Sequence, residues 1–376
     1  MNPLYEKALN LAENKEPKPS AIAAVAKKTS DEAARWAFTQ WTLRQKAAAK
    51  FKNASQMLFD REGLEMATHE RMAAYNASLF PASAHVFDLT AGIGADLIAL
   101  AQRGPSTGVE VSPERAELAR HNLDANRQTA EILIGDGLER IPASSEYIFA
   151  DPARREGGRR TLDPSQFAPN PSLIAERFKD AKRVVFKLSP MLPDSFLESL
   201  GDDIRFVSFG GECREVLVSF GSEVNPTRKA VQVESGEELE EAGDPIQTET
   251  PNEYLYEADP AAIRAHTLGA LADPFDLYAL GDSNGYLTGP NEISSPWLRA
   301  YRVLYHGKAD LKETKRELEC LHSSTPVVKQ RGADQDLEAM RKKLKLTGDR
   351  ELCVILYTVG KSIRHIIAQP LPAQTR

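Results

Sequence analysis

The sequence has little cysteine and no long apolar run, and both absences limit the classes of protein it can encode. Its 376 residues include three cysteines, Cys213, Cys320 and Cys353, which are far apart and share no CxxC spacing. This argues against a zinc site or a disulfide framework and for a reducing compartment. No apolar run reaches about 18 residues, and the N-terminus lacks the apolar segment of a secretory signal. The sequence therefore predicts a cytoplasmic protein without membrane spans.

Neither sign of charge is scarce, but the charges are unevenly placed. The net charge is −7, whereas residues 223–260 alone carry 11 acidic and 2 basic side chains, a net of −9. The net charge is +4 over residues 1–60 and +5 over residues 299–350. Two mildly basic ends around an acidic segment permit a nucleic-acid partner without demanding one.

Short apolar runs alternate with amphipathic segments between residues 85 and 220. The runs predict seven strands, at residues 85–89, 107–111, 131–134, 147–150, 183–188, 204–209 and 215–220. Apolar strands that alternate with helices are typical of a parallel sheet covered on both faces. Only residues 210–214 join the last two strands, so this pair is predicted to be antiparallel, because a parallel pair needs a long crossover. The predicted fold class is α/β, a Rossmann-like seven-stranded sheet with an antiparallel terminal hairpin.

The chain is predicted to comprise four segments. Residues 1–80 are predicted to form a helical region, residues 81–222 the α/β domain, residues 223–252 a partly irregular acidic linker with room for one further strand pair, and residues 253–376 a small α+β domain. Within the last segment, helices are predicted at residues 260–272 and 334–344, and strands near residues 325–330 and 352–358.

The stretch VFDLTAGIGAD, residues 86–96, joins the first strand to a helix through Gly92 and Gly94. Glycines at such a turn let backbone N–H groups approach a ligand, although a tight turn without a ligand has the same pattern. Glu110 ends the second strand, where a carboxylate can bind the two hydroxyls of a ribose. Asp136 follows the third strand, beside the expected position of an adenine. Acids at the ends of three successive strands favour a bound nucleoside.

These residues resemble the class I S-adenosylmethionine-dependent methyltransferases. DLTAGIGAD is similar to the first motif of that family, Glu110 to its ribose-binding acid and Asp136 to its adenine-side acid. The resemblance implies a methyltransferase with S-adenosylmethionine as cofactor, bound by Asp88, Ala91, Gly92, Gly94, Asp96, Glu110, Val111, Asp136 and Gly137. A NAD-type site is the alternative, but it expects a third glycine where this chain has Leu97.

The fourth strand ends in Asp151 and Pro152, followed by Ala153 and Arg154. This DPAR resembles the (Asp/Asn)-Pro-Pro-aromatic motif of nucleic-acid methyltransferases, which holds an amine so that its lone pair faces the methyl carbon. Asp151, Pro152 and Arg154 are the predicted catalytic residues, although two positions depart from the motif. DPAR also resembles the DPPR of uridine C5-methyltransferases, but those need a cysteine after the fifth strand, where Ser189 stands here. Transfer to a base nitrogen is therefore favoured.

Motifs along nearly the whole chain resemble bacterial methyltransferases with a C-terminal THUMP-like domain. They are REGLEMATHERMA, DLTAGIGAD, DPARR, KLSP, GECRE, YLYEADPAAIRAH, VVKQRG and LKLTGD. The THUMP name implies RNA as the partner, so the predicted function is methylation of a base nitrogen in RNA. The predicted substrate contacts are basic side chains that could bind phosphate, namely Arg155, Lys187, Lys329 and Arg331. Lys187 could equally be a strand-end lysine with its head in solvent.

Two other functions stay open at this point. The first is a methyltransferase with a protein or small-molecule acceptor, which the loss of the Pro-aromatic pair favours. The second is a non-catalytic RNA-binding module with a vestigial cofactor site, against which the glycine turn and the ribose acid argue. The seven histidines are scattered without ligand spacing, so no metal is predicted. The sequence does not indicate an oligomeric state.

Overall fold

The computed structural model describes residues 2–153, 155–156, 159–282 and 285–372. The chain divides into two compact units. The first comprises Met1–Gly201 and Leu217–Val224, and the second comprises Asp202–Val216 and Asn225–Arg376. All residues predicted to bind the cofactor belong to the first unit.

The N-terminal region is helical, as predicted. Its helices are α1 (Pro3–Ala12), α2 (Pro19–Ala26), α3 (Asp31–Ala47), α4 (Arg61–Met66) and α5 (Glu70–Ser78). Asn2, Ser30 and Asp60 begin α1, α3 and α4 by accepting a backbone N–H with the side chain, as polar N-cap residues do. Apolar faces of α1, α2 and α3 pack together around Ala8 and Phe38.

The helical pattern over residues 63–80 is interrupted between α4 and α5. Ala67 is extended, with ψ of 133°, and ends α4. His69 then begins α5, because its Nδ1 accepts the N–H of Arg71. The break leaves Thr68 outside both helices and 6% exposed.

The first sheet begins with four strands, β1 (Val86–Asp88), β2 (Ser106–Glu110), β3 (Glu131–Ile134) and β4 (Tyr147–Ala150). A short ribbon of β5 (Arg155–Glu156) and β6 (Arg159–Arg160) is separate from it. The sheet continues with β7 (Arg183–Leu188), β8 (Asp203–Phe209), β9 (Glu212–Phe220), β10 (Thr227–Gln232) and β11 (Glu237–Glu240). Among the described residues its order is β11-β10-β8-β9-β7-β4-β1-β2-β3.

The carboxyl ends of five parallel strands meet at one edge of this sheet. β1 pairs in parallel with β2 and β4, β2 pairs with β3, and β4 pairs with β7. The crossovers contain α6 (Ala95–Ala101), α7 (Pro113–Ala125), α8 (Gly137–Arg140), a 3₁₀ turn at Pro164–Gln166 and α9 (Pro171–Arg177), and α10 (Asp194–Leu200) follows β7. The turns after β1, β2, β3, β4 and β7 therefore surround one edge, which is where open parallel sheets bind ligands.

The predicted terminal hairpin forms, and further strands extend the sheet. Gly210 and Gly211 join β8 to β9 with φ of +66° and +72°, the left-handed conformations that a two-residue hairpin turn needs. Part of the segment expected to be a linker forms β10, parallel to β8, and β11, antiparallel to β10. Lys229 on β10 pairs with Glu238 at 2.8 Å, so acidic side chains of this segment stabilise strand pairing.

The second unit contains its own sheet. Its strands are β12 (Gln247–Thr248), β13 (Tyr254–Ala258), β14 (Tyr278–Leu280), β15 (Tyr286–Gly289), β16 (Leu298–Lys308), β17 (Val327–Gln330), β18 (Cys353–Val359) and β19 (Ser362–Pro370). Among the described residues the order is β12-β14-β15-β13-β16-β19-β18-β17. The sequence predicted β17 and β18 but not the other strands of this sheet.

The helices of the second unit differ from the two that were predicted. They are α11 (Pro260–Arg264), α12 (Leu268–Ala272), a 3₁₀ turn at Asp273–Phe275, α13 (Leu311–Cys320) and α14 (Leu337–Lys343). The helix predicted over residues 260–272 is divided at His266, whose φ is +60°. Leu318 of α13 packs with Val354 and Ile367 of the sheet in one apolar cluster.

Candidate active site

The turn after β1 is shaped by two glycines with positive φ. Gly92 has φ of +55° and Gly94, which begins α6, has φ of +89°. Such conformations favour glycine over any residue with a Cβ. A Cβ at Gly92 would meet only the Thr90 carbonyl, at 4.0 Å, whereas one at Gly94 would lie 3.3 Å from the Ala119 Cβ. Gly92 thus exposes backbone on one side, and Gly94 allows α6 to approach α7.

Glu110 connects this turn to the end of β2. Its Oε2 accepts the N–H of Gly92 at 2.8 Å, and its Oε1 accepts the N–H of Ser112 at 2.9 Å. The side chain is buried, and a carboxylate has about four lone-pair sites. Glu110 can therefore fix both turns and still accept hydrogen bonds from ligand hydroxyls.

The ends of β2 and β3 present apolar and acidic side chains together. Val111 is 71% exposed and Ile134 is 39% exposed. Asp136 is exposed and begins α8 by accepting the N–H of Leu138 at 2.8 Å. A Cβ at Gly137 would lie 2.7 Å from the Leu89 carbonyl oxygen, so close packing against the end of β1 requires glycine there. Ala91 is buried, and its N–H donates to the Val109 carbonyl at 2.8 Å.

A cluster of charged and polar side chains lies at the ends of β4 and β7. Lys187 Nζ is 2.5 Å from Asp151 Oδ2 and 3.4 Å from Asp96 Oδ2. The same ammonium donates to Thr68 Oγ1 at 2.6 Å, and that hydroxyl donates to Asp96 Oδ2 at 2.5 Å. Asn76 Nδ2 donates to the other oxygen of Asp96 at 3.1 Å. The Lys187 side chain is 11% exposed and that of Asp151 is 34% exposed, so the acid faces solvent more than its partner does.

Thr90 connects this cluster to Asp88 at the end of β1. The N–H of Asp151 donates to Thr90 Oγ1 at 2.7 Å, and the N–H of Thr90 donates to Asp88 Oδ1 at 2.9 Å. Burial raises the pKa of Asp88 to about 8; the charges of Asp96 and Asp151 add to this, while the Thr90 hydrogen bond and Lys187 oppose it. Asp88 is therefore largely protonated at neutral pH.

The predicted site residues do not all join this cluster. Pro152 is buried beside Asp151, whereas Arg154 lies outside the described residues. Arg155 lies on β5, and its side chain is likewise outside what the structure describes. Lys329 and Arg331 belong to the second unit, where they contact Glu257 at 2.6 and 3.4 Å.

Three residues of the cluster, Thr68, Asn76 and Thr90, were not predicted from the sequence. Asn76 could have been predicted from the sequence as a buried polar residue, because it shares the buried face of α5 with Met72 and Ala73. A polar side chain on an apolar face must find a partner. Thr68 could not have been predicted in this way, since its partner Lys187 is 119 residues further along the chain.

The described part of the chain contains neither a membrane-spanning helix nor a metal-binding cluster. No helix there is long and apolar enough to cross a membrane. Within the same residues, no group of three or more His, Cys, Asp and Glu side chains is placed to hold a metal ion.

Known proteins resemble the chain over most of its length. Two relatives from Mycobacterium tuberculosis, of strains CDC 1551 and H37Rv, are 28% identical over 346 residues, which cover 89% of this chain and 95% of theirs. Both are named uncharacterized S-adenosylmethionine-dependent methyltransferases. The chain is a homologue of the S-adenosylmethionine-dependent methyltransferases. The predicted enzyme class and cofactor are thereby confirmed.

The fold and the C-terminal region of this methyltransferase homologue also have matches. A crystal structure of a candidate methyltransferase from Porphyromonas gingivalis W83 superposes with a TM-score of 0.81, at 20% identity and 98% coverage of each chain. The predicted fold class is confirmed. Residues 298–370 match the family described as THUMP domain-like. RNA as substrate and a cytoplasmic location stay predictions.

Proposed function

We propose that this protein transfers a methyl group from S-adenosylmethionine to a nitrogen of an RNA base. The observation that carries the proposal is the position of Asp151, at the end of β4, beside the glycine turn of β1 and 2.5 Å from Lys187. An ionised carboxylate accepts hydrogen bonds only, so it suits a substrate atom that carries N–H.

The ends of β1, β2 and β3 fit a cofactor that carries a nucleoside. We assign the ribose hydroxyls to Glu110 and the adenine to the surface of Val111, Ile134 and Asp136. The backbone at Gly92 lies open to a ligand because no Cβ covers it. When bound, S-adenosylmethionine supplies an electrophilic methyl group on a sulfonium.

Asp151 would orient the acceptor and receive its proton. Its carboxylate accepts an N–H of the amine, which turns the nitrogen lone pair toward the methyl carbon. Once the nitrogen carries the methyl group it has become acidic, and Asp151 is in place to take the proton. Pro152 has a fixed φ and no N–H, which restricts the turn that presents the carboxylate.

Three features support RNA as the acceptor. The match at residues 298–370 is to a THUMP domain-like family, and residues 299–350 carry a net charge of +5. Exposed apolar side chains, Met191 at 71% and Leu162 at 54%, lie on the turns after β7 and β4. Apolar side chains at such a place can pack against the face of an unstacked base, as in recognition of single-stranded RNA.

The proposed contacts of Lys329 and Arg331 with phosphate have their own test. Each phosphate contact steepens the salt dependence of RNA binding, with a slope of about −0.7 per contact for single strands. Lys329→Gln should then reduce the slope by about that amount. An unchanged slope for Lys329→Gln, with the fold intact by circular dichroism, would assign Lys329 to the fold alone.

The acceptor is tested by following radiolabelled methyl from S-adenosylmethionine into RNA, protein and small-molecule fractions of a strain that lacks the gene. The proposal predicts label in RNA, and nucleoside analysis of that RNA then names the base. Label in protein or small molecules would refute RNA as acceptor. Binding of S-adenosylmethionine without label in any fraction would favour the vestigial site.

A further inference from the structure

Lys187 has its hydrogen-bond donors directed into the protein. An ammonium has three N–H groups, and the Lys187 Nζ lies within 3.4 Å of three oxygens, on Asp151, Thr68 and Asp96. Its side chain is 11% exposed. A phosphate oxygen could approach it only by displacing one of these partners.

Asp96 is held on both of its oxygens, and residues from the N-terminal region hold it. Thr68 donates to Oδ2 at 2.5 Å, and Asn76 donates to Oδ1 at 3.1 Å. Thr68 itself is fixed in the break between α4 and α5, and it is 6% exposed. The Asp96 carboxylate is therefore fixed in position, and it holds the Lys187 ammonium beside Asp151.

We infer that Lys187 is the positioning residue of Asp151, and that Asp96 and Thr68 hold Lys187 in place. The inference rests on the proposed function, because Asp151 is the group whose orientation matters there. It assigns Lys187 to the catalytic side of the site instead of to phosphate binding, and it makes the break after α4 a part of the acceptor site.

The inference has a direct kinetic consequence. A displaced catalytic group slows the chemical step, and a misplacement of about 1 Å can cost about 10²-fold. A lost phosphate contact weakens RNA binding instead. Positioning by Lys187 therefore predicts a change in kcat, whereas phosphate contact predicts a change in KM for RNA.

The test uses the full chain, S-adenosylmethionine and total RNA from a strain that lacks the gene. Lys187→Met should lower kcat by about 10²-fold, with KM for RNA and Kd for S-adenosylmethionine within about twofold of wild type. Lys187→Arg should recover part of the loss. Lys182→Met is the matched control, since Lys182 precedes the same strand and pairs with Glu146 at 2.9 Å; it should leave kcat unchanged.

Thr68 supplies a second pair of variants in case Lys187→Met does not fold. Thr68→Val removes the hydroxyl with little change in shape and should lower kcat about tenfold, whereas Thr68→Ser should stay within about twofold. Equal kcat in these two variants would refute the part assigned to Thr68. A higher KM for RNA with unchanged kcat in Lys187→Met, or behaviour like that of Lys182→Met, would refute positioning by Lys187.

Failure of the inference is distinct from failure of the proposed function. If Asp151→Ala is inactive while Lys187→Met and Thr68→Val keep full kcat, the inference alone is wrong. If Asp151→Ala keeps full activity, or wild type does not label RNA, the proposed function itself is wrong.

Discussion

Each unit of the molecule contains a cluster of charged side chains. Negative charges outnumber positive ones in the contacts of the first cluster, and positive charges outnumber negative ones in those of the second. Among the described residues of the first unit, the cation Lys187 contacts two carboxylates, Asp151 and Asp96. In the second unit a single carboxylate, Glu257, contacts two cations, Lys329 and Arg331. The side chains of both clusters are largely shielded from water. Residue types and burial alone therefore do not distinguish a functional site from a structural ion pair.

What separates the clusters is what they connect. Lys329 on β17 bonds Glu257 on β13 and the Tyr301 hydroxyl on β16, at 2.6 and 2.9 Å, although these strands are not neighbours of β17 in the sheet order. Burial raises the pKa of Glu257, but Lys329 and Arg331 outweigh it and hold that pKa below its usual value. This cluster holds distant strands together. The cluster of Lys187 lies instead where parallel strands end, beside the glycine turn.

The largest effect that follows from this contrast is on turnover. Asp151→Ala removes the acceptor of the substrate N–H and should lower kcat by about 10³-fold, within the range for loss of one acid–base group. Kd for S-adenosylmethionine, measured by equilibrium dialysis, should stay within about twofold. Asp180→Ala, at an exposed aspartate of the same unit, is the control and should be as active as wild type.

A smaller effect, on cofactor binding, is expected when the Glu110 carboxylate, which joins the turns after β1 and β2, is removed. Glu110→Ala should raise Kd for S-adenosylmethionine by about 10²-fold, because two backbone N–H groups and the ligand hydroxyls lose their acceptor. Glu110→Gln keeps one acceptor oxygen, so its Kd for S-adenosylmethionine should rise by only about tenfold. Isothermal titration measures both. An unchanged Kd in Glu110→Ala would place the ribose elsewhere.

The second cluster should respond in stability and not in chemistry. Glu257→Gln leaves Lys329 and Arg331 without their counter-charge and should lower the free energy of unfolding by about 3 kcal/mol in urea. Glu253→Gln is the matched control, since its pair with Arg302 is more than half exposed, and it should cost under about 0.5 kcal/mol. A lower kcat in a folded Glu257→Gln variant would contradict this prediction, because it would show that the second cluster contributes to catalysis.

A further prediction concerns the pH dependence of stability. Asp88 has a pKa of about 8 in the folded protein, whereas an unfolded aspartate titrates near about 3.9. Between these values the folded chain keeps a proton that the unfolded chain loses, so this residue lowers stability as pH rises from about 4 to about 8. Asp88→Asn cannot ionise and should gain stability relative to wild type over that range. Urea unfolding at pH 5 and pH 8 checks this; a difference that does not change with pH would contradict it.

The sequence predicted the first sheet well and the charge clusters poorly, for a physical reason. The runs predicted at residues 131–134, 147–150 and 183–188 have the bounds of β3, β4 and β7, and the run of β4 is buried throughout. Such runs depend on local composition alone. The contact of Thr68 with Lys187 depends on how distant elements pack, and no local pattern encodes it.

Strands of the second unit also depend on contacts between distant parts of the chain. Paired residues of β13 and β16 are 40 to 48 residues apart in the chain, and neither strand was predicted. Lys329 and Arg331 stay predicted phosphate contacts, but their contact with Glu257, which lies 72 and 74 residues away, was not predicted from the sequence.

The central claim, that the cluster at the ends of β4 and β7 acts as one catalytic unit, is tested most directly by a double-mutant cycle. Single-turnover methyl transfer to RNA is measured for wild type, Asp151→Ala, Lys187→Met and the double variant, at saturating S-adenosylmethionine. If Lys187 acts through Asp151, the double variant is no slower than Asp151→Ala alone, as expected for residues that work as a unit. If the two losses multiply, the side chains act independently and the claim is wrong.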